Sequence, residues 1–178
     1  MKLLVILDDG FEEIEAFTVV DVLRRANIEV NLCGVKSTIV AGSHNVKIIA
    51  DSKLDGINLN YFDAIFIPGG RACKSLMSNS LVLNIIKDFY SKKKLITAIC
   101  AAPLVLSSAG ILKDKKATVY PGHEKDIPNY EDMDVVVDDR IITSRAPGTA
   151  MKFALRLVEY MVGETEAEKL KKEMVVKC

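Results

Sequence analysis

Short apolar runs that end abruptly in turn residues recur along this chain, and they constrain its fold more than any other feature. Five such runs occupy residues 3–7, 62–67, 95–99, 117–120 and 141–143. Continuous apolar runs of this length that alternate with helices are typical of a parallel sheet buried on both faces. The sequence therefore predicts a doubly wound α/β sandwich with a mostly parallel sheet and right-handed crossovers.

The segments between these runs carry helical or hairpin patterns. Helices are predicted over residues 12–26, 80–90, 149–162 and 165–174. The first of them has acidic residues in its first turn and Arg24-Arg25 in its last, as the helix dipole favours. Residues 38–49 contain two short strand-like runs around Gly42-Ser43-His44-Asn45, which predicts a small hairpin that leaves the sheet.

Length and charge narrow the class of protein. A chain of 178 residues suits a single domain over 1–178 with a substantial core. Its 24 basic and 24 acidic residues balance, so no global field would recruit nucleic acid or an anionic membrane. The N-terminus lacks a signal-peptide pattern, and no apolar run is long enough for a membrane span, so we expect a cytoplasmic protein.

The four cysteines form no C-x-x-C pair, and the chain has only two histidines. A structural zinc site is therefore not expected, and in a reducing cytoplasm the thiols should be free. One of them, Cys100, lies where the run 95–99 stops and a helix-like stretch starts. A free cysteine is ordinarily a buried core residue, so other features must support a reactive role.

The position of Cys100 supplies that support. In open α/β sheets, ligands bind at the carboxyl ends of the strands. A parallel sheet would gather five strand-end segments at one edge: the acidic turn after the first run, Pro68-Gly69-Gly70, Cys100, the turn from Tyr120 to His123, and the turn from Ser144 to Gly148. A thiol, carboxylates, backbone amides and an arginine would then lie close together, as in a reaction site.

The chemistry of Cys100 follows from a sharp strand-to-helix turn. The start of a helix favours a thiolate, so we expect a lowered pKa for this thiol. Such a turn also holds a nucleophile exposed. The amides of Gly70 and Ala101 could then face a developing oxyanion, since Gly70 has no side chain to block the approach.

Each member of this group also has a structural interpretation. Glu12, Glu13 and Glu15 suit any first helical turn, and the two glycines suit any sharp turn. His123 and Arg145 are residues that commonly lie at a polar surface. Their shared position at strand ends, more than any one residue, favours a functional site.

Four ordered motifs resemble those of one known family. They are "GFEEIEAFTVVDVLRRANIEV", "DAIFIPGG", "LITAICAAP" and "IITSRAPGT", and together with their spacing they extend the similarity over essentially the whole chain. By these motifs and their order, the chain resembles the DJ-1 branch of the ThiJ/PfpI superfamily. The resemblance implies a flavodoxin-like sandwich that forms a homodimer.

The resemblance also implies an activity and its residues. Cys100 matches the family's reactive cysteine, and Glu15 matches the glutamate that hydrogen-bonds its sulfur. Family members are known as cofactor-independent, glutathione-independent glyoxalases that turn methylglyoxal into lactate, as protein deglycases, and as chaperones that respond to oxidative stress. This would make the chain a hydrolase or lyase with a cysteine nucleophile, no cofactor and no metal, acting on a small dicarbonyl or a glycated substrate.

Further residues are assigned by the same resemblance. Gly70 and Ala101 match the amides that face the oxyanion. The remaining matches are assigned to the substrate pocket, namely Gly69, Tyr120, His123, Arg145, Pro147 and Arg25. The chain departs from the DJ-1 branch where that branch has a histidine beside the cysteine, because Tyr120 stands here and His123 follows three residues later. His44 replaces a hairpin arginine, which weakens an anion pocket there.

Two other classes in the superfamily fit less well. The PfpI protease branch has a histidine directly after its nucleophile, where this chain has Ala101. Glutamine amidotransferases need a downstream histidine and glutamate pair, and the candidate pair in this chain, His123-Glu124, lies in the wrong segment. The rival to an enzyme is an oxidation-responsive thiol sensor or chaperone without turnover. It would use the same Cys100 and Glu15, with the thiol oxidised to a sulfinic acid. A catalytically silent dimer is the third possibility.

Overall fold

The computed structural model describes residues 1–177, which form eleven β-strands and six α-helices. The strands are β1 (Lys2–Leu7), β2 (Glu29–Gly34), β3 (Ile39–Ala41), β4 (Lys47–Ile49), β5 (Ser52–Lys53), β6 (Ala64–Ile67), β7 (Leu95–Ile99), β8 (Lys116–Ala117), β9 (Asn129–Tyr130), β10 (Val135–Asp138) and β11 (Ile141–Ser144). The helices are α1 (Glu13–Arg25), α2 (Cys73–Leu76), α3 (Ser80–Ser91), α4 (Pro103–Ser108), α5 (Ala150–Met161) and α6 (Glu164–Glu173).

Seven of these strands form the central sheet, in the order β10-β11-β7-β6-β1-β2-β5. All neighbouring pairs are parallel except β10 and β11, which are antiparallel at one edge. The chain starts in the middle of the sheet, builds outward to one side through β2 and β5, and then returns to build the other side. This is the doubly wound, flavodoxin-like order, and it confirms the predicted fold class.

Helices cover both faces of the sheet because its strands are apolar on both sides. Along β1, Leu3, Val5 and Leu7 pack into one core cluster with side chains from α1, α5 and α6. Leu4 and Ile6 point the other way, into a second cluster with α2, α3 and α4. All five side chains are fully buried, and burial of each contributes roughly 1.5–3 kcal/mol. These two layers hold the strand ends in fixed positions.

The predicted helices and the hairpin are confirmed to within a few residues. Helix α1 ends just before Asn27, whose φ of 56° leaves the helical region. Strands β3 and β4 pair antiparallel around the predicted turn, outside the central sheet. Within residues 1–177, no helix combines the length and the apolar character that crossing a bilayer requires.

The prediction of a sheet strand over residues 117–120 is wrong. Only Lys116–Ala117 is a strand, and it pairs with Asn129–Tyr130 in a separate small sheet. The rest of the segment is held at the end of the central sheet by single hydrogen bonds. The Thr118 amide donates to Thr143 Oγ1 over 3.0 Å, and the Tyr120 amide donates to the Cys100 carbonyl over 2.8 Å.

The parallel register brings four strand ends to one edge of the sheet, as the sequence predicts. Strands β1, β6, β7 and β11 run side by side into Asp8, Pro68, Cys100 and Arg145, respectively. Helix α1 begins after the first of these turns, so its N-terminal carboxylates meet the turn that follows β6. The candidate site is built here.

Candidate active site

Cys100 occupies a sharp turn directly after β7. Its φ is 64°, a left-handed conformation that costs an L-residue other than glycine or asparagine roughly 1–2 kcal/mol. Two hydrogen bonds hold the residue there: its amide donates to the Ser144 carbonyl over 2.9 Å, and its carbonyl accepts from the Tyr120 amide over 2.8 Å. Strand β11 and the loop after β8 therefore maintain the strained turn, in which the thiol reaches the surface with 8% exposure.

Glu15 lies beside this thiol on the first turn of α1, with no exposed surface. Its Oε2 accepts a hydrogen bond of 2.6 Å from the Gly69 amide, whereas its Oε1 is buried without a hydrogen-bond partner among the described residues. A fully buried carboxyl with a free oxygen is costly unless it holds a proton or meets a ligand. Glu15 is therefore suited to carry a proton next to sulfur.

The protonation of the two groups is coupled. Burial raises the pKa of the Glu15 carboxyl from 4.5 to about 7, although the Cys100 thiol and the Gly69 amide act in the opposite direction. Burial also raises the pKa of the Cys100 thiol, and the charge of Glu15 raises it further, against the lowering effect of the Ala101 amide. The pair therefore keeps at least one proton near neutral pH, because two negative charges in this site repel each other.

This result corrects the expected lowering of the Cys100 pKa. The prediction rested on a helix N-terminus, but α4 begins only at Pro103 and is six residues long. Burial and the neighbouring carboxylate outweigh that contribution. A reactive thiolate must instead form by proton transfer from the sulfur to Glu15.

The two residues whose amides the sequence predicts for the oxyanion, Gly70 and Ala101, lie in one cavity with Cys100. Neither the Gly70 amide nor the Ala101 amide donates to a backbone carbonyl within residues 1–177, and the Ala101 amide interacts with the Cys100 sulfur. Gly70 has a φ of 91°, and a Cβ there would lie 2.4 Å from the Gly10 carbonyl oxygen. Only glycine fits this close approach.

An open cavity of about 510 Å³ contains these groups. Its lining residues are Glu12, Ser43, His44, Gly70, Arg71, Cys100, Ala101 and Tyr120. Gly69 lies against Cys100 and Glu15, because a Cβ built on it would be 2.7 Å from both Cys100 Cβ and Glu15 Oε2. Of the residues that the sequence assigned to the site, the structure thus brings together Cys100, Glu15, the two amides, Gly69 and Tyr120.

Four other predicted pocket residues lie elsewhere. Arg25 is in the last turn of α1, where its guanidinium pairs with Asp21 over 2.7 Å. His123 lines a different cavity with Met77 and Leu104, and its ring faces Asp126.

Arg145 and Pro147 follow β11 but do not line the cavity that contains Cys100. The Arg145 side chain is ion-paired with Asp132 instead, and Pro147 begins a short 3₁₀ turn that leads into α5.

The cavity also contains residues that sequence reasoning did not assign to it. The turn of the β3–β4 hairpin contributes Ser43 and His44. The turn between β6 and α2 contributes Arg71, whose Nη2 donates to the Ser43 carbonyl over 2.8 Å. The Ser43 hydroxyl donates to the Gly10 carbonyl over 2.7 Å. The sequence predicts the hairpin itself, but nothing in it shows that the turn folds back over the strand ends.

One group of side chains brings three possible metal donors together. Atoms of Glu12, Glu13 and His44 lie within 4.8 Å of one another, the only such group among the described residues. Both Glu13 oxygens, however, already accept hydrogen bonds from the hairpin turn, at 2.7 Å from the His44 amide and 3.0 Å from His44 Nδ1. These bonds explain why the three side chains lie together, and we assign no metal to them.

The fold and the site define a class of protein: flavodoxin-like α/β proteins with a strained cysteine after a central strand and a buried glutamate beside it. Residues 1–160 match the DJ-1/PfpI family, and this chain belongs to that family. It is 38% identical over 179 residues to DJ-1beta of Drosophila melanogaster, which covers 97% of this chain and 96% of that protein. The crystal structure of Drosophila DJ-1beta superimposes with a TM-score of 0.94 at 37% identity, over 99% of this chain and 98% of that chain.

Two further relatives have names that state an activity. The glutathione-independent glyoxalase DJR-1.2 of Caenorhabditis elegans is 34% identical over 97% of this chain and 94% of its own length. A deglycase of Pyrococcus abyssi is 33% identical over 83% of this chain and 92% of its own length. The family of this chain therefore includes proteins named for chemistry on carbonyl compounds and glycation products.

Proposed function

We propose that this protein is a cofactor-independent, glutathione-independent glyoxalase that converts methylglyoxal to lactate. Deglycation of proteins is a second reaction of the same site. The observation that carries this proposal is the Glu15 carboxyl, fully buried beside the Cys100 thiol with its pKa raised to about 7. A base of this pKa can both accept and return a proton at neutral pH, as a proton shift between two carbons requires.

The reaction begins with activation of the thiol. Glu15 takes the proton of Cys100, the sulfur adds to the aldehyde carbon of methylglyoxal, and Glu15 then returns the proton to the aldehyde oxygen to form a hemithioacetal. The aldehyde oxygen, which gains negative charge in this step, faces the amides of Gly70 and Ala101. One such donor is worth about 10²–10³ in rate, because it stabilises charge that develops only in the transition state.

The second stage moves hydrogen from C1 to C2. Glu15 removes the proton from C1 of the hemithioacetal to give an enediolate. The proton of the C1 hydroxyl moves to the C2 oxygen, and the same carboxyl protonates C2 to give a thioester of lactate. Water then hydrolyses the thioester and releases lactate and the free thiol. The sum of these steps is methylglyoxal plus water to lactic acid, so the reaction consumes no cofactor.

Lactate formation from methylglyoxal without glutathione tests this function. We expect turnover by the wild-type protein and none by Cys100→Ser, which keeps the size of the side chain but is a much weaker nucleophile. Cys73→Ser is the matched control, because Cys73 is a buried thiol near Glu15 that does not line the cavity. Equal rates for the wild type and Cys100→Ser would contradict the proposal.

We also propose that the protein acts as a homodimer in the cytoplasm. The β3–β4 hairpin and the start of α1 expose large apolar side chains beside the pocket, and Ile39 and Ile49 are directly paired across the hairpin at 63% and 80% exposure. Paired exposed isoleucines favour association with another surface. Analytical ultracentrifugation of the wild type and an Ile49→Lys variant should give a dimer and a weakened dimer, and a wild-type monomer at every concentration would contradict this.

An oxidation-responsive thiol is the second candidate function. Its support is the free Oε1 of Glu15, which could donate a proton to an oxygen of a Cys100 sulfinic acid. Mass spectrometry after peroxide treatment should then show a sulfinic acid at Cys100 that accumulates in the wild type and not in Glu15→Ala. Oxidation of the wild type directly to the sulfonic acid would count against this function.

A further inference from the structure

His44 is the histidine that lines the cavity with Cys100. The chain has two histidines, and the other, His123, lines a separate cavity. His44 lies in the turn of the β3–β4 hairpin, which Arg71 joins to the turn after β6 through its hydrogen bond to the Ser43 carbonyl. Its position provides the pocket with an imidazole that no part of the reaction described above uses.

A carboxylate orients this imidazole. Glu13 Oε2 lies 3.0 Å from His44 Nδ1, and Glu13 Oε1 accepts from the backbone amide of the same residue over 2.7 Å. Hydrogen bonds from the hairpin turn lower the pKa of the Glu13 carboxyl against the effect of burial, so it is an ionised acceptor. Nδ1 must therefore carry the proton that this bond uses, which leaves Nε2 as the nitrogen that can exchange a proton.

The charges around His44 favour its protonated form. The hydrogen bond to Glu13 raises the pKa of the imidazole most, and the charges of Glu12 and Glu13 add to this effect. Desolvation of the ring acts in the opposite direction, as does the guanidinium of Arg71, in the turn before α2. An imidazole whose pKa is raised holds a proton that it can donate to the substrate and recover in the same reaction cycle.

Resting on the glyoxalase function, we propose that His44 Nε2 is the second acid–base catalyst of the site and that Glu13 is its positioning residue. The substrate class of this site is a 1,2-dicarbonyl. The amides of Gly70 and Ala101 face its first oxygen, and its second oxygen lies outside their reach. The Cys100 and Glu15 pair lacks a second proton carrier, because a carboxyl that holds the proton taken from carbon cannot also exchange protons with the substrate oxygens. His44 is that second carrier.

The proton balance assigns two transfers to His44. When Glu15 removes the C1 proton, the C2 carbonyl oxygen gains negative charge, and His44 Nε2–H protonates it to complete the enediol. When Glu15 returns its proton to C2, the C1 hydroxyl of the enediol gives its proton to His44 Nε2 as the thioester carbonyl forms. Both catalysts return to their starting protonation states, and no electron is gained or lost by the protein.

Three variants test this assignment in the methylglyoxal assay. His44→Gln should lower kcat about 10²-fold or more, the usual worth of a positioned acid–base group, with Cys100 alkylation unchanged. His123→Gln is the matched control, because it removes a histidine from outside the cavity, and its kcat should equal that of the wild type. Added imidazole should restore part of the activity of His44→Ala.

Glu13→Gln distinguishes positioning from a merely structural contribution. It removes the charge that raises the pKa of His44, so the alkaline limb of the plot of kcat against pH should move to lower pH. A thermal unfolding curve like that of the wild type should show that the fold is retained. A kcat of His44→Gln within twofold of the wild type, or an effect on KM alone, would overturn the proposal and leave the glyoxalase function standing. A wild-type protein that forms no lactate would overturn both.

Discussion

Glu15 Oε2 and the backbone amide of Gly69 are joined by a buried hydrogen bond of 2.6 Å. This bond ties the first turn of α1 to the turn after β6 and places the carboxyl against Cys100. Because α1 packs on α5 and the sheet, the position of the carboxyl depends on the whole core rather than on a mobile loop. The relationship between the two residues leads to predictions about geometry, protonation and stability.

The first prediction concerns Gly69→Ala. The added Cβ would lie 2.7 Å from Glu15 Oε2 and from Cys100 Cβ, so both groups must move. A displacement of this kind should lower methylglyoxal turnover by at least tenfold, since proton transfer requires hydrogen-bond distances. Gly148→Ala is the control, because a Cβ there meets nothing within 4 Å, and steady-state kinetics of the two variants should therefore differ clearly.

The second prediction concerns the reactivity of Cys100 with iodoacetamide. The thiolate forms when Glu15 can accept the proton, so the rate should rise with pH through about 7, the pKa of Glu15. In Glu15→Gln the rise should move above the ordinary thiol pKa of 9.0, because burial still raises it. Peptide mass spectrometry should show slower labelling of Cys33 and Cys73, which are buried and do not line the cavity that contains Cys100. A rate that is independent of pH between 6 and 9 would contradict the coupled pair.

A third prediction links Glu15 to stability. Its pKa is about 7 in the folded protein and 4.5 in the unfolded chain, so the unfolded state ionises first as pH rises. The free energy of unfolding should therefore fall between pH 4.5 and 7, by about 3 kcal/mol for a single group with this shift. The Glu15→Gln side chain cannot ionise. Urea unfolding should therefore show that the stability of this variant relative to the wild type increases from pH 4.5 to 7 and stays constant at higher pH.

The fourth prediction concerns Tyr120→Phe. The backbone amide of Tyr120 holds the Cys100 carbonyl, and this bond survives the substitution. Only the hydroxyl in the pocket is lost, and a neutral hydrogen bond is worth about 0.5–1.5 kcal/mol, or about tenfold at most. The kcat/KM of Tyr120→Phe should therefore fall by tenfold or less, and far less than that of Glu15→Ala. An inactive phenylalanine variant with intact Cys100 alkylation would show that the phenol takes part in proton transfer.

The sequence predicts the fold well because the sheet depends on local patterns. The runs at 3–7, 95–99 and 141–143 are buried on both faces, so their composition alone indicates central parallel strands. The run 117–120 has the same composition, but residues 117–119 are buried by the end of the sheet rather than inside it, and Tyr120 is exposed. An apolar run reports burial, and it does not specify the hydrogen-bond partner.

The site is predicted only where it depends on strand ends. Cys100, Gly70 and Ala101 follow directly from the parallel register, and the resemblance to a family selected Glu15 from three acidic candidates. The contribution of His44 and Arg71 depends on how a hairpin folds over the sheet edge, a tertiary contact without a local signal. Likewise, burial in the folded protein raises the pKa of Cys100, and the residues next to it in the sequence do not indicate this burial.

The most direct test of the central claim is the behaviour of Glu15→Gln with methylglyoxal. The amide retains the size of the side chain but cannot transfer a proton between carbons. At a pH high enough to ionise its thiol, the variant should still form a Cys100 adduct, detectable by intact mass, while its rate of lactate formation falls by about 10²–10⁴-fold. Lactate formation by Glu15→Gln at the wild-type rate would contradict the assignment of Glu15 as the base of this site.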